Sequence, residues 1–281
     1  MAADVRITAT DGQLLHGTVY APDTPHTWLL INSAMGVRRR FYRHLAEYLL
    51  GRDIGVVTYD YRGIGDSTLP VPHASGVRLE DWGRKDFPAM LDWLRATQDP
   101  ARVVVLGHSV GGQLLGITPQ VCEVDALVGV ATQAGYWRHW SGLQRVGVFS
   151  FWYAAIPALT ALCGYFPASL LGLGQDLPAG IARQWAEWGR DRDYIRSATV
   201  GPQPQFYDDV RCRLRTYQVE RDRLAPERAI RAWHDWFPNA EREFVNLGSH
   251  NPAGRRIGHF GFFDPAIGAG EWPALADFVR G

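Results

Sequence analysis

Cysteine is scarce in this 281-residue chain: Cys122, Cys163 and Cys212 are widely spaced and odd in number. That argues against a disulfide framework or a cysteine metal cluster and predicts buried free thiols in a reducing compartment. The histidines lack metal-ligand spacing, and no glycine-rich loop runs into a lysine to cradle phosphate, so neither a metal nor a cofactor is expected. An excess of charge is missing too. With 29 basic and 29 acidic residues the formal net charge is zero, which gives no reason to expect nucleic acid or an anionic membrane as a partner. The N-terminal residues Met1-Ala-Ala-Asp-Val-Arg6 lack a basic region followed by an apolar run, so no secretion signal is read and a cytoplasmic location is the default. Repeats and low-complexity tracts are also lacking.

One long stretch lacks charge altogether. No residue from Val146 to Phe166 is charged, and the uncharged run fills the whole interval between Arg145 and Asp176. Its length is that of a membrane-spanning helix. Gly147, Pro157, Gly164 and Pro167 interrupt it, however, and a lone span in mid-chain would cut a domain in two. An apolar lid over an active site, without stable membrane insertion, is the expectation.

The residues that are present alternate between two patterns. Val5 to Tyr20 reads as a hairpin turning at Asp11-Gly12, a strong short-range turn signal. Trp28–Ile31, Ile54–Tyr59, Val103–Leu106, Ala126–Ala131, Leu214–Val219 and Glu243–Leu247 read as strands, most of them buried on both faces. Between them fall helical spacings: Arg38 to Leu50, Leu79 to Thr97 with a bend expected at Pro88, a helix from Pro226, and a closing helix from Pro273 to Val279. Strand and helix in alternation predict an α/β domain with a parallel sheet. The rhythm breaks between about Thr132 and Phe206, a stretch rich in tryptophan, proline and glycine. It is too long and apolar for a surface loop. The expected division is a core of residues 1–131 and 207–281 with an inserted helical cap over 132–206.

The strand Val103–Leu106 runs straight into Gly107-His-Ser-Val-Gly-Gly112, and Gln113 to Ile117 reads as the start of a helix. G-x-S-x-G alone recurs by chance, and its bland reading is a glycine-rich turn, so the strand before it and the helix after it carry the argument. A turn this sharp strains Ser109 and exposes its hydroxyl, and side chains at the flanking glycines would strike the neighbouring strand and helix. A serine hydroxyl needs a histidine to take its proton and an acid to orient that histidine. In such a sheet both must follow strand ends. After Leu214–Val219, Asp222 is favoured over Glu220 because it stands further out in the turn, where its bland alternative is a helix cap before Pro226. After Glu243–Leu247, His259 in Ile257-Gly-His-Phe-Gly261 is favoured over His250, because its glycine neighbours allow a close approach. Two backbone N–H donors should hold the oxyanion: Val110, and Ala34 with Met35 as the alternative. Met35, His108, Trp137, Trp140 and Trp152 are the candidates for contact with substrate, although His108 is read as pointing away from the proton path and each tryptophan also suits a cap core.

Gly107-His-Ser-Val-Gly-Gly112, Asp60-Tyr-Arg-Gly-Ile-Gly-Asp-Ser67, Asp222-Arg-Leu-Ala-Pro226 and Gly258-His-Phe260 resemble, in order and spacing, the α/β-hydrolase superfamily. Ala34-Met-Gly-Val37 with Phe41-Tyr42, the aromatic stretch around Gly164-Tyr-Phe-Pro167 and Trp185–Trp188, and Gly258-His-Phe-Gly-Phe-Phe263 are similar to a group of predicted bacterial α/β hydrolases of unestablished substrate. The resemblance implies a mostly parallel eight-stranded sheet flanked by helices, with Ser109 as nucleophile, Asp222 as acid and His259 as base. Asn32-Ser33 stands where the superfamily usually has His-Gly, and Ser33 is expected to narrow the oxyanion pocket. The expected activity is hydrolysis of an ester or thioester of a small hydrophobic substrate. Acyl transfer by the same triad and a non-catalytic ligand-binding role are the alternatives. The oligomeric state is left open, a homodimer being one arrangement.

Overall fold

A computed structural model describes residues 2–69 and 76–281. In chain order the strands are β1 (Ala2–Thr8), β2 (Leu14–Tyr20), β3 (Thr27–Asn32), β4 (Ile54–Tyr59), β5 (Arg102–His108), β6 (Ala126–Val130), β7 (Tyr165–Phe166), β8 (Leu177–Pro178), β9 (Arg213–Val219) and β10 (Glu241–Leu247). Eight of them form one sheet in the order β1-β2-β4-β3-β5-β6-β9-β10, and β7 pairs with β8 apart from it. From β4 to β10 neighbouring strands are parallel, while β1–β2 and β2–β4 are antiparallel. The mostly parallel eight-stranded sheet is therefore as expected.

Alternation along the central strands sends side chains into two cores. Trp28, Leu30, Val105 and Leu127 point to one face, where Trp82, Phe87, Met90 and Leu94 of helix 79–98 cover them. Leu29, Ile31, Val104, Leu106 and Val128 point to the other, under Leu45 and Leu49 of helix Arg43–Leu50 and Leu275 and Val279 of helix Trp272–Arg280. Helices of eight or nine residues are marginal alone. Burial holds them: each fully buried Leu or Phe contributes about 1.5–3 kcal/mol relative to exposure.

Two helices carry an internal proline without ending there. Residues 82–86 and 151–155 each form a π-turn, and in each helix the residue before the proline reaches back five positions, Phe87 N–H to Trp82 O and Ile156 N–H to Phe151 O. The wider turn makes room for a ring that would otherwise strike the preceding carbonyl. So the expected bend at Pro88 takes the form of a π-turn. More consequentially, Gly142–Cys163 is one helix of 22 residues, not the interrupted stretch expected from Gly147 and Pro157. It ends where Gly164 takes a left-handed conformation, φ 77°. Between β6 and β9 the chain also forms helix Ala179–Arg190, inside the stretch read as helical, and the small β7–β8 pairing, which the sequence did not suggest. The helix expected from Gln113 is a single turn, Val110–Gln113, followed by a 3₁₀ turn at Leu115–Ile117. All three cysteines are free, but Cys122 and Cys163 lie exposed, contrary to the expectation of buried thiols.

Candidate active site

Ser109 sits between the end of β5 and the helical turn Val110–Gln113 with φ 52° and ψ −117°, a strained conformation for a residue with a Cβ. The flanking glycines make the turn possible. A Cβ on Gly107 would lie 2.2 Å from Gly112 Cα, and one on Gly111 would lie 2.2 Å from the carbonyl oxygen of Asn32 on β3. The Ser109 amide donates to Val130 O at 3.0 Å, which fixes the turn against β6.

The loops after β9 and β10 bring Asp222 and His259 together. Asp222 Oδ2 lies 2.7 Å from His259 Nδ1, and both side chains are buried. Asp222 Oδ1 accepts from the Leu224 amide at 2.9 Å, so the turn role considered for Asp222 and the histidine contact coexist, one on each oxygen. A carboxylate only accepts, so Nδ1 carries the proton and Nε2 is left as a base. Ser109 and His259 line one cavity of about 240 Å³. Ser109 donates to Gln133 Oε1 at 3.5 Å, and no hydrogen bond among the described residues joins it to His259.

Ala34 and Met35 line the same cavity, and Val110 directly follows Ser109. Val110, the first residue of its turn, has no acceptor for its N–H among the described residues, and neither has Met35. Ala34 does: its N–H donates to Tyr42 Oη at 2.9 Å. Tyr42 Oη lies 2.9 Å from His108 Nδ1, and His108 Nε2 lies 3.0 Å from the carbonyl of His259. A carbonyl only accepts, so Nε2 is the protonated nitrogen and Nδ1 takes the Tyr42 proton. Burial, reinforced by the nearby His259, holds His108 well below the usual histidine range, which keeps this ring neutral. One relay thus ties the Ala34 loop, β5 and the His259 loop together.

The sequence profile of the alpha/beta hydrolase family matches residues 14–269. The chain belongs to that family. Solved structures of similar fold include DcsB in complex with its substrate analogue (TM-score 0.70, 14% identity, covering 100% of this chain and 99% of that one). The esterase Pf2001 from Pyrococcus furiosus (TM-score 0.62, 16% identity, 100% and 91%) and the esterase EaEST from Exiguobacterium antarcticum (TM-score 0.61, 15% identity, 99% and 99%) are others. At such identities these neighbours establish the fold. No curated protein matches the sequence significantly.

Several sequence expectations for this hydrolase change once its cavity is described. Of the two amides considered as second oxyanion donor, the Ala34 N–H already has Tyr42 as acceptor, whereas the Met35 N–H has none among the described residues. Ser33 does not narrow the pocket: its hydroxyl turns away to Tyr59 O at 3.3 Å, while Tyr59 Oη donates to Asn32 Oδ1 at 2.8 Å. His108 does not line the cavity, being fully buried and turned toward Tyr42 and the His259 carbonyl. Trp137 is absent from the cavity wall and packs its ring on Phe149 instead. Met35, Trp140 and Trp152 do line it, with Phe151, Leu173 and Trp185. The competing Glu220 pairs with Arg221 at the surface, and His250 is exposed beside Ser249. No group of three or more histidine, cysteine or acidic residues suited to a metal occurs among the described residues.

Sequence reasoning missed a polar floor. Trp185 Nε1 donates to Tyr194 Oη at 3.0 Å, Tyr194 donates to Gln113 Oε1 at 2.9 Å, and Gln113 Nε2 donates to Gln133 O at 2.7 Å. Gln133 Nε2 in turn donates to Leu224 O at 3.3 Å. Gln133 could have been found by the rule that led to Asp222, since it follows a strand end, β6, beside the nucleophile. Asp60-Tyr-Arg-Gly-Ile-Gly-Asp-Ser67 is an ion-pair hub. Arg39 bonds to Asp60 and Asp66, and Arg62 bonds to Asp11 and buried Asp86 at 2.6 Å each.

Proposed function

We propose that this α/β hydrolase cleaves carboxylic esters or thioesters of small hydrophobic substrates through a Ser109 acyl-enzyme. The observation that supports the reading is the shared cavity, which Ser109 and His259 both line, with Asp222 Oδ2 2.7 Å from His259 Nδ1. In this mechanism the Ser109 hydroxyl swings from Gln133 to His259 Nε2. It gives up its proton as Oγ attacks the acyl carbon, and Asp222 stabilises the imidazolium that forms. The carbonyl oxygen, now negative, accepts from the Met35 and Val110 amides. His259 then protonates the leaving alcohol or thiol, and a water activated by the same histidine releases the acid.

Residues 132–206 act as the cap in this reading. Gln175 is its clamp on the oxyanion loop: its N–H donates to Gly36 O at 2.9 Å, and its Oε1 accepts from the Gly65 amide at 2.7 Å. Drug-sized ligands occupy pockets of about 300–1,000 Å³. A cavity of about 240 Å³ walled by tryptophan, phenylalanine, leucine and methionine therefore suits a short acyl group. Turnover of p-nitrophenyl esters from acetate to palmitate tests this. The expected profile peaks at short chains and vanishes in Ser109→Ala; ester turnover retained by Ser109→Ala would sink the proposal.

A further inference from the structure

The part of helix Gly142–Cys163 turned away from the cavity is mostly apolar and open to solvent, and Arg145 is the helix's one charged residue. Leu143 is 89% exposed and Leu162 82%, with Val146, Phe149 and Tyr153 also exposed between them. The opposite face belongs to the site: Gly147, Val148, Phe151 and Trp152 line the cavity, and Trp152 Nε1 donates to Gly135 O at 3.1 Å. The helix is long and apolar enough to cross a membrane, yet crossing would pull those residues off the cavity. Apolar on its free face and anchored on the other, it is suited to lie along a surface.

Charge identifies that surface. The zero net charge conceals an uneven distribution: residues 126–175 contain no aspartate or glutamate, only Arg138 and Arg145. Trp140 joins this helix to the mouth of the site, since its carbonyl accepts from Arg145 Nε at 2.8 Å and its Nε1 donates to Arg223 O at 2.9 Å. At that mouth Leu224 and Phe260 stand exposed beside Arg223, and exposed Arg256 lines the adjoining pocket together with exposed Asp264. Among the described residues, Arg145, Arg223 and Arg256 form no ion pair. A second copy of the chain would set these arginines against their own kind in a two-fold interface. Anionic headgroups supply the missing counter-charge, and the acyl region beneath them accepts Leu143 and Val146.

We infer that this face docks the protein on an anionic lipid surface, with helix Gly142–Cys163 lying in the interface and the cavity mouth at the headgroup level. Apolar substrates concentrated in the bilayer would then enter beside Leu224 and Phe260. The inference goes beyond the hydrolytic reading, because docking is measured without turnover and equally well with Ser109→Ala.

The test is flotation of the full chain with vesicles of phosphatidylcholine in which about a third of the lipid is phosphatidylglycerol, beside pure phosphatidylcholine vesicles. The wild type is expected to bind the anionic vesicles at least about tenfold more strongly than the neutral ones. The Leu143→Glu/Val146→Glu variant should lose about tenfold or more of that binding, and Arg145→Gln a smaller part. Turnover of a soluble ester should stay unchanged in both, which shows that they fold. Three results would overturn the inference: no binding of the wild type to anionic vesicles, undiminished binding of the double variant, or a lipid-free dimer that the double variant dissociates.

Discussion

Replacing Tyr42 by phenylalanine removes one oxygen atom from a place where two buried groups depend on it. The Ala34 amide loses its acceptor at 2.9 Å, and His108 Nδ1 loses its donor at 2.9 Å. His108 has no easy remedy, because moving its proton to Nδ1 would leave the His259 carbonyl, 3.0 Å from Nε2, without a donor. Tyr42 and His108 are fully buried, so water does not readily substitute. Leaving a buried polar group unpaired costs about 1–3 kcal/mol. The two together predict a loss of about 2–4 kcal/mol after partial relaxation. The ring itself packs against Phe41 and Phe263 and remains in the variant. The relay also sets the loop bearing the Met35 amide, so kcat for an ester should fall more than KM rises. Urea unfolding of Tyr42→Phe and wild type, with steady-state kinetics on both, gives the comparison. A stability change below about 0.5 kcal/mol, the size of an ordinary surface substitution, would refute the reasoning.

Acidification should destabilise the protein from pH 7.5 downward. Burial depresses His108 far below its unfolded value, and His139 is pushed down to about 4 by burial, with Arg228 adding to it. Depressed histidines contribute stability that is complete above their unfolded pKa of about 6.5 and declines as pH falls toward their folded values. For His108 alone the loss at pH 5 is about 2 kcal/mol, readable as a lower urea midpoint; a flat midpoint between pH 7.5 and 5 contradicts it. Trp185→Ala enlarges the cavity wall and should shift the preferred ester toward longer acyl chains; an unchanged chain-length profile counts against Trp185 as a wall. In Gly111→Ala the new methyl falls 2.2 Å from Asn32 O on β3, so a destabilisation above about 3 kcal/mol or loss of soluble protein is expected. A thermal midpoint equal to wild type would show that the turn at Ser109 does not require glycine there.

The parts of the fold with a strong local signal were legible in the chain. Apolar runs such as Val103–Leu106 and Ala126–Ala131 fixed the parallel strands, because a strand buried on both faces has no polar alternation to confuse it. Ser109 and Asp222 stand just past strand ends and His259 in the long loop after the last strand, and the sheet brings those ends to one edge. What stayed hidden depended on tertiary partners. Nothing local in Ala34-Met35 tells which amide is free, since the answer lies in a tyrosine eight residues away. Trp137 and Trp185 look alike in a tryptophan-rich stretch, and only packing sends one to Phe149 and the other to the cavity. Gln133 and Gln113 gave no motif, because a satisfied amide network needs no fixed spacing. Pro157 seemed to break a helix that a π-turn carries through.

The central claim is that Ser109 is a nucleophile activated by His259. A fluorophosphonate probe tests it most directly, because the probe reacts with an activated serine whatever the natural substrate is. Intact and peptide mass spectrometry should show one adduct on wild-type Ser109 and none on folded Ser109→Ala or His259→Ala. A folded wild type that stays unlabelled, or a His259→Ala variant labelled as fast as wild type, would contradict the account.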